Sequence, residues 1–176
     1  MRLRTHIAIG VAMAVLIPAG LLAQKVNRDY DKSYDFAKIK TFAIKIGTSW
    51  NNQMSENRAL TEIATALTGK GWVRSANEQE ANALVVIHGA SETKKTLNTF
   101  YDGWGGWGYG GMGMGGSTTS VYEYQVGTLV VDIFDVQSKN LIFRSTASDE
   151  LNSDPFKNEK KLQKAVEKMF KDFPPK

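Results

Sequence analysis

The chain has 176 residues, 22 of them Lys or Arg against 18 Asp or Glu, with two His and no Cys. Disulfides, thiolate metal sites and cysteine nucleophiles are therefore excluded, and the fold must hold on its own core. A net charge of +4 is too balanced to suggest a nucleic-acid protein.

The chain opens on an address. Met1-Arg2-Leu3-Arg4 is a short basic start, followed by an apolar run from Ile7 to Leu22 and by the helix-breaking or small residues Pro18, Gly20 and Ala23. That order reads as a secretory signal peptide over residues 1–23. The other reading is an uncleaved membrane anchor. Against it, the run is shorter than the roughly 20 residues a spanning helix needs, and Pro18 falls near its end. No Cys follows Ala23, so lipid anchoring of the bacterial lipoprotein kind is excluded. The expectation is a product starting at Gln24 that is periplasmic or secreted, in association with the cell envelope. Its 153 residues suffice for one domain over 24–176, with 20 basic against 18 acidic residues.

Val26 to Tyr30 and Thr41 to Ile46 read as strands on either side of a polar turn at Asp31-Lys32-Ser33. Asn51 or Asn52 caps a helix running to about Thr68, with Leu60, Ile63, Ala64 and Leu67 at the spacing of a core-facing stripe. Gly69 or Gly71 ends it. Trp72-Val73 makes a short strand, and Ala83 to His88 a strand apolar enough to be buried on both faces. From Ser91 the pattern dissolves. Residues 103–116 hold nine glycines, interleaved with Trp104, Trp107, Tyr109, Met112 and Met114. So much backbone entropy argues against a regular element and for a loop or hairpin tip over 101–118, with strand order resuming near Ser120.

Gly127 to Asp135 and Leu141 to Asp149 form the clearest hairpin. Alternation puts Leu129, Val131 and Ile133 on one face and Val130, Asp132 and Phe134 on the other. A five-residue loop, Val136 to Asn140, sets Ile133 opposite Phe143 and the structural pair Asp132 opposite Arg144. Asp154 caps a last helix with Pro155 in its first turn, stopped by Pro174-Pro175. Leu162, Ala165, Val166, Met169, Phe170 and Phe173 form its apolar side, and Lys157, Lys161, Lys164, Lys168 and Lys171 its solvent side. The expected fold is α+β in two layers: one antiparallel or mixed sheet, two helices on one face and a long Gly-rich loop.

With these segments in place the chain resembles a bacterial family of exported proteins, domain of unknown function 4136. Asp29-Tyr30-Asp31, Asp35-Phe36 and Lys40-Thr41-Phe42 are similar to its opening. The stretch from Ala81 to Val86 resembles its central strand, with Asn82 where an Asp is expected. Gly127-Thr128-Leu129-Val130-Val131-Asp132, with Arg144 after the turn, resembles the hairpin signature, Phe143 replacing a more usual Trp. Ala165 to Phe170 and Phe173-Pro174-Pro175 resemble the closing helix. The resemblance implies the envelope compartment and an α+β fold, and it assigns no reaction. Many members look like lipoproteins, from which this chain departs by lacking the lipid-bearing Cys.

No catalytic set is recognisable. If His6 leaves with the signal, His88 is the one remaining imidazole, and a two-histidine metal site is impossible. At the end of an apolar strand it reads as a structural His, since no Gly-x-Ser-x-Gly elbow accompanies it. Asp29, Asp31 and Asp35 read as turn residues and lack calcium-loop spacing. Gly106 to Gly111 matches the dinucleotide fingerprint as text, but more glycines follow where a helix must open, so no cofactor is expected. The reading is a non-catalytic envelope module that binds a protein partner, glycan or membrane surface through Trp104, Trp107, Tyr109, Met112 and Met114. The alternative is a periplasmic hydrolase or metal-dependent enzyme using His88 and nearby carboxylates. The loop has no Lys or Arg, which speaks against nucleic acid. Seven Lys against three acids over 157–176 read as a solvated helix face, with anionic polymer or lipid as the other reading.

Overall fold

The structure is a computed structural model that describes residues 24–50, 52–101 and 117–175. In chain order it runs β1 (Lys25–Tyr30), a single 3₁₀ turn (Phe36–Lys38), β2 (Thr41–Thr48), α1 (Gln53–Gly69), β3 (Val73–Arg74), β4 (Ala83–Tyr101), β5 (Ser117–Asp135), β6 (Leu141–Glu150) and α2 (Pro155–Met169). The strands form one mixed sheet ordered β1-β6-β5-β4-β2-β3. β2 pairs parallel with β3 and β4, and the other neighbours are antiparallel. A helix between β2 and its parallel partners supplies the crossover such pairing requires.

Both helices lie on one face of the sheet. Ala83, Val85 and Ile87 of β4, Leu129, Val131 and Ile133 of β5, and Phe42 of β2 point into a single core. Ile63, Ala64 and Leu67 of α1 meet them there, with Ala165, Val166 and Met169 of α2 and Phe170 and Phe173 beyond it. The two helices run side by side in the same direction: Arg58 faces Glu159, Gln163 donates to Glu62, and Lys70 reaches the carbonyl of Lys171. Each starts on a side-chain cap. Asn52 Oδ1 accepts from the Ser55 amide and Asp154 Oδ1 from the Phe156 amide, meeting backbone donors that a helix leaves free at its start. α1 ends before Gly71, whose φ of 88° turns the chain back toward β3.

The β5–β6 register places Asp132 against Arg144 and Ile133 against Phe143, with an irregularity at Ile133/Phe134 before the turn. Several strand limits move. β1 begins at Lys25, β2 runs on to Thr48, and the short strand is Val73–Arg74, with Trp72 buried just ahead of it. The strand at 83–88 is sealed on the helix side; on the other face Val86 is buried, Leu84 half-buried and His88 about one-third exposed.

The largest difference lies after Ser91. The expected loss of pattern is instead a continuous strand, because β4 runs to Tyr101 and β5 starts at Ser117 rather than Ser120. Pairing with β2 stops at His88 and with β6 at Val126, so Thr93↔Gln125 to Tyr101↔Ser117 form a two-stranded ribbon beyond the sheet. At about 3.3 Å per residue it extends roughly 30 Å. Tyr101, Ser117 and Thr118 thus belong to strands, not to the expected loop. Residues 102–116, including Trp104, Trp107, Tyr109, Met112 and Met114, lie outside the described residues, as does the expected signal segment 1–23.

Asp31 and Asp35 serve as turn residues, accepting from Ser33 and from the Ala37 amide. Asp29 does not: it stands within β1, in register with Arg144. Lys161 also leaves the solvent stripe. Its ammonium folds over the end of β6 onto Asp149 Oδ1 at 3.2 Å and the Glu150 carbonyl.

Candidate functional site

β2, β4 and β6 all run toward the same end of the molecule, and both helices begin there. At that end the helix layer stops short of the sheet, and two side chains lie over glycines in its place. Trp50, just past β2, covers Gly89 so closely that a Cβ at Gly89 would sit 1.2 Å from the indole ring. Leu151, just past β6, covers Gly127, where a Cβ would lie 2.8 Å from Leu151 Cδ2. A glycine inside a strand often marks such a close approach. Glu56 in the first turn of α1 holds the Trp50 segment, its Oε1 accepting from the Ser49 hydroxyl at 2.6 Å and the Trp50 amide at 3.0 Å.

Between these covers, the helix starts and the sheet lies a cleft of about 420 Å³. Ala59, Leu129, Ala147, Leu162 and Ala165 form its apolar floor and walls. Its polar rim carries Gln24, Asn52, Arg58, Gln125, Asp149, Glu159 and Lys161. The volume falls within the range of small-molecule sites, with an apolar floor beneath a polar rim. Arg58 approaches Glu159 only to 3.7 Å, too long for a hydrogen bond. Gln24 Nε2 donates to the Lys161 carbonyl, tying the start of β1 to α2. The Trp50 indole N–H is buried and meets no acceptor among the described residues.

A second constellation crosses the helix-free face. Thr48 Oγ1 and His88 Nδ1 are 2.8 Å apart, His88 Nε2 stands 3.8 Å from Asp132 Oδ2, and Arg144 grips Asp132 through Nε and Nη2, each at 2.6 Å. The Asp132 side chain is 3% exposed although no helix covers it, whereas that of Arg144 is 53% exposed. The bidentate hydrogen bonds, and then the carboxylate charge, raise the guanidinium's hold on its proton above its ordinary level. His88 is thus anchored to Thr48 but does not reach hydrogen-bond distance of the carboxylate. Among the described residues no three His, Asp or Glu side chains gather as metal ligands, and no helix is long and apolar enough to cross a membrane.

Sequence reasoning singled out His88, Asp132 and Arg144, which the fold brings together. It missed the cleft. The available signals were Gly89 and Gly127, lone glycines in otherwise apolar strands, and a Trp just ahead of a helix cap.

Several solved structures share the fold. A DUF4136 family protein from Bacteroides thetaiotaomicron VPI-5482 aligns with a TM-score of 0.58 at 15% identity, over 86% of this chain and 96% of that one. A PDZ domain protein from Parabacteroides distasonis ATCC 8503 gives 0.56 at 15% identity over 87% of this chain. The chain spans only 36% of that protein's length. The PelC dodecamer from Paraburkholderia phytofirmans gives 0.50 at 16% identity, over 84% of this chain and 95% of that one. No curated protein matches. The family model described as domain of unknown function (DUF4136) matches residues 26–175, and the chain belongs to that family.

Proposed function

We propose that the protein is an exported, non-catalytic component of the bacterial cell envelope that binds an envelope partner, glycan or membrane surface through the segment joining β4 to β5. The observation that carries this reading is the ribbon. Nine register pairs continue past the end of the pairing with β2 and β6, and a two-stranded ribbon has little stability of its own. An arm of that kind earns its place by what it presents, and Tyr101↔Ser117 is its last described pair before a segment of glycines, Trp, Tyr and Met. Rigid aromatics among glycines suit contact with sugar rings, a lipid interface or a protein pocket. Export is supported by the basic start and apolar run of residues 1–23.

Fractionation of the native host tests this with the full-length protein and a variant lacking 103–116. Sedimentation of only the intact protein with membrane or wall material is the expected result. Recovery of both in the soluble fraction would remove the segment from the account.

A second reading, catalysis at His88, is favoured by the Thr48–His88–Asp132 row. Against it, Arg144 already holds both Asp132 oxygens and the imidazole's Nδ1 is occupied by Thr48. His88→Asn separates the two readings: loss of a hydrolytic turnover would support catalysis, and unchanged envelope association supports the binding role.

A further inference from the structure

We infer that the cleft between the helix starts and the sheet is a second binding site, independent of the ribbon, and that it takes a small organic anion with an apolar body, such as a carboxylate on an alkyl chain. Its floor of Leu129, Ala147, Leu162 and Ala165 offers no hydrogen bond, so the inner part of an occupant must be apolar. The Arg58 guanidinium on the rim meets Glu159 only at 3.7 Å, which leaves its fork unfilled. Lys161, by contrast, is engaged with Asp149 and the Glu150 carbonyl, which leaves Arg58 as the available cation. Both helices also begin at this end, adding positive potential.

A carboxylate entering here would take the fork of Arg58 that Glu159 does not fill. Glu159 is then its competitor, and this makes the inference sharp. Removing the Arg58 charge must weaken binding, whereas removing the Glu159 charge must strengthen it. A merely greasy cleft would respond to neither. Both side chains are more than one-third exposed, so either substitution leaves the core untouched.

The test is isothermal titration calorimetry of the purified protein with sodium decanoate and, as the charge-reversed probe, decyltrimethylammonium bromide. Decanoate is expected to bind and the ammonium to bind at least about ten-fold more weakly. Arg58→Gln should weaken decanoate binding about ten-fold, and Glu159→Gln should tighten it a few-fold. The same measurements on the variant lacking 103–116 should be unchanged, which separates this site from the ribbon's role. Absence of decanoate binding, equal affinity for the two probes, or indifference to Arg58→Gln would each overturn the assignment.

Discussion

The sheet body and the ribbon are made from the same two strands, yet different forces hold them. Over 83–88 and 127–133, every second side chain of β4 and β5 faces the helices, and that apolar set is sealed beneath them. Over 93–101 and 117–125 the strands keep their register beyond the end of the pairing with β2 and β6. The described side chains there interact through exposed ion pairs, Lys95 with Glu123 across the strands and Lys94 with Glu92 along one. One continuous ladder thus passes from a six-stranded body covered by helices into a two-stranded extension. Regular secondary structure is therefore no measure of local stability: the ribbon is expected to open at low free energy while the body opens only with global unfolding.

The largest effect should come from the body. Phe42 is fully buried, is in register with Ala83, and packs beside Trp72 at a ring separation of 6.3 Å. Phe42→Ala should cost about 3–5 kcal/mol, the usual range for emptying a buried aromatic site, read as a shift in the denaturation midpoint. If it cost under about 1 kcal/mol, the body would resemble the ribbon and the contrast would fail.

Next comes the Asp132–Arg144 pair, which sits in the body but on its uncovered face. Arg144→Ala strands a carboxylate that is 3% exposed, with His88 Nε2 still 3.8 Å away. A loss of about 1–3 kcal/mol is expected, because the outward half of the arginine is already in water. Replacing both partners, as in Asp132→Leu with Arg144→Met, should recover most of that loss, since an apolar pair leaves no charge unanswered. Denaturation of the single and double variants separates the pair's own worth from the cost of orphaning one member. A double variant as unstable as the single one would contradict the account.

Body and ribbon also differ in how far they can be read from sequence. The hairpin register, the faces of β5 and both helix caps are legible because burial on one face imposes a period, and a one-residue slip would expose every core side chain. Asp132 opposite Arg144 follows directly from that period. The ribbon breaks the rule: with no face to bury, Ser91-Glu92-Thr93-Lys94-Lys95 shows no alternation and reads as loop, although Thr and the aromatics that follow favour strands. The cleft was illegible for another reason. Trp50 and Arg58 are far in sequence from Leu151 and Lys161, and the two pairs meet only because β2 and β6 end at the same edge of the sheet. Gly89 and Gly127 hint that something lies over the strands there, but nothing local says what.

A smaller effect, with a definite pH signature, belongs to the opposite end of the body. Tyr34 Oη donates to Asp135 Oδ2 at 2.6 Å, and this bond holds the Asp135 carboxyl below its ordinary value of 3.8. A depressed carboxyl stabilises the fold above its unfolded pKa, and that share disappears as pH falls through the folded one. Tyr34→Phe should therefore cost about 1 kcal/mol at pH 7, and the gap to the parent protein should close as pH falls below the ordinary carboxyl range. Burial and the same bond raise the Tyr34 phenol above its usual range, so the parent should also lose stability as pH climbs past 10. Urea midpoints across pH 2–7 for the two proteins check the sign, and a gap that widens on acidification would reverse the assignment.

The smallest effect should lie in the ribbon itself. Lys95 and Glu123 are register partners and both more than half exposed, so Lys95→Ala should change global stability by less than about 0.5 kcal/mol. Amide exchange gives the sharper reading. If the ribbon is held by pairing alone, amides of Thr93 to Lys95 should exchange well before those of Val85 to Ile87, and Lys95→Ala should speed the first group and leave the second unchanged. Equal protection of the two groups would mean that something else packs on the ribbon, and the division between a buried body and an unsupported arm would have to be redrawn.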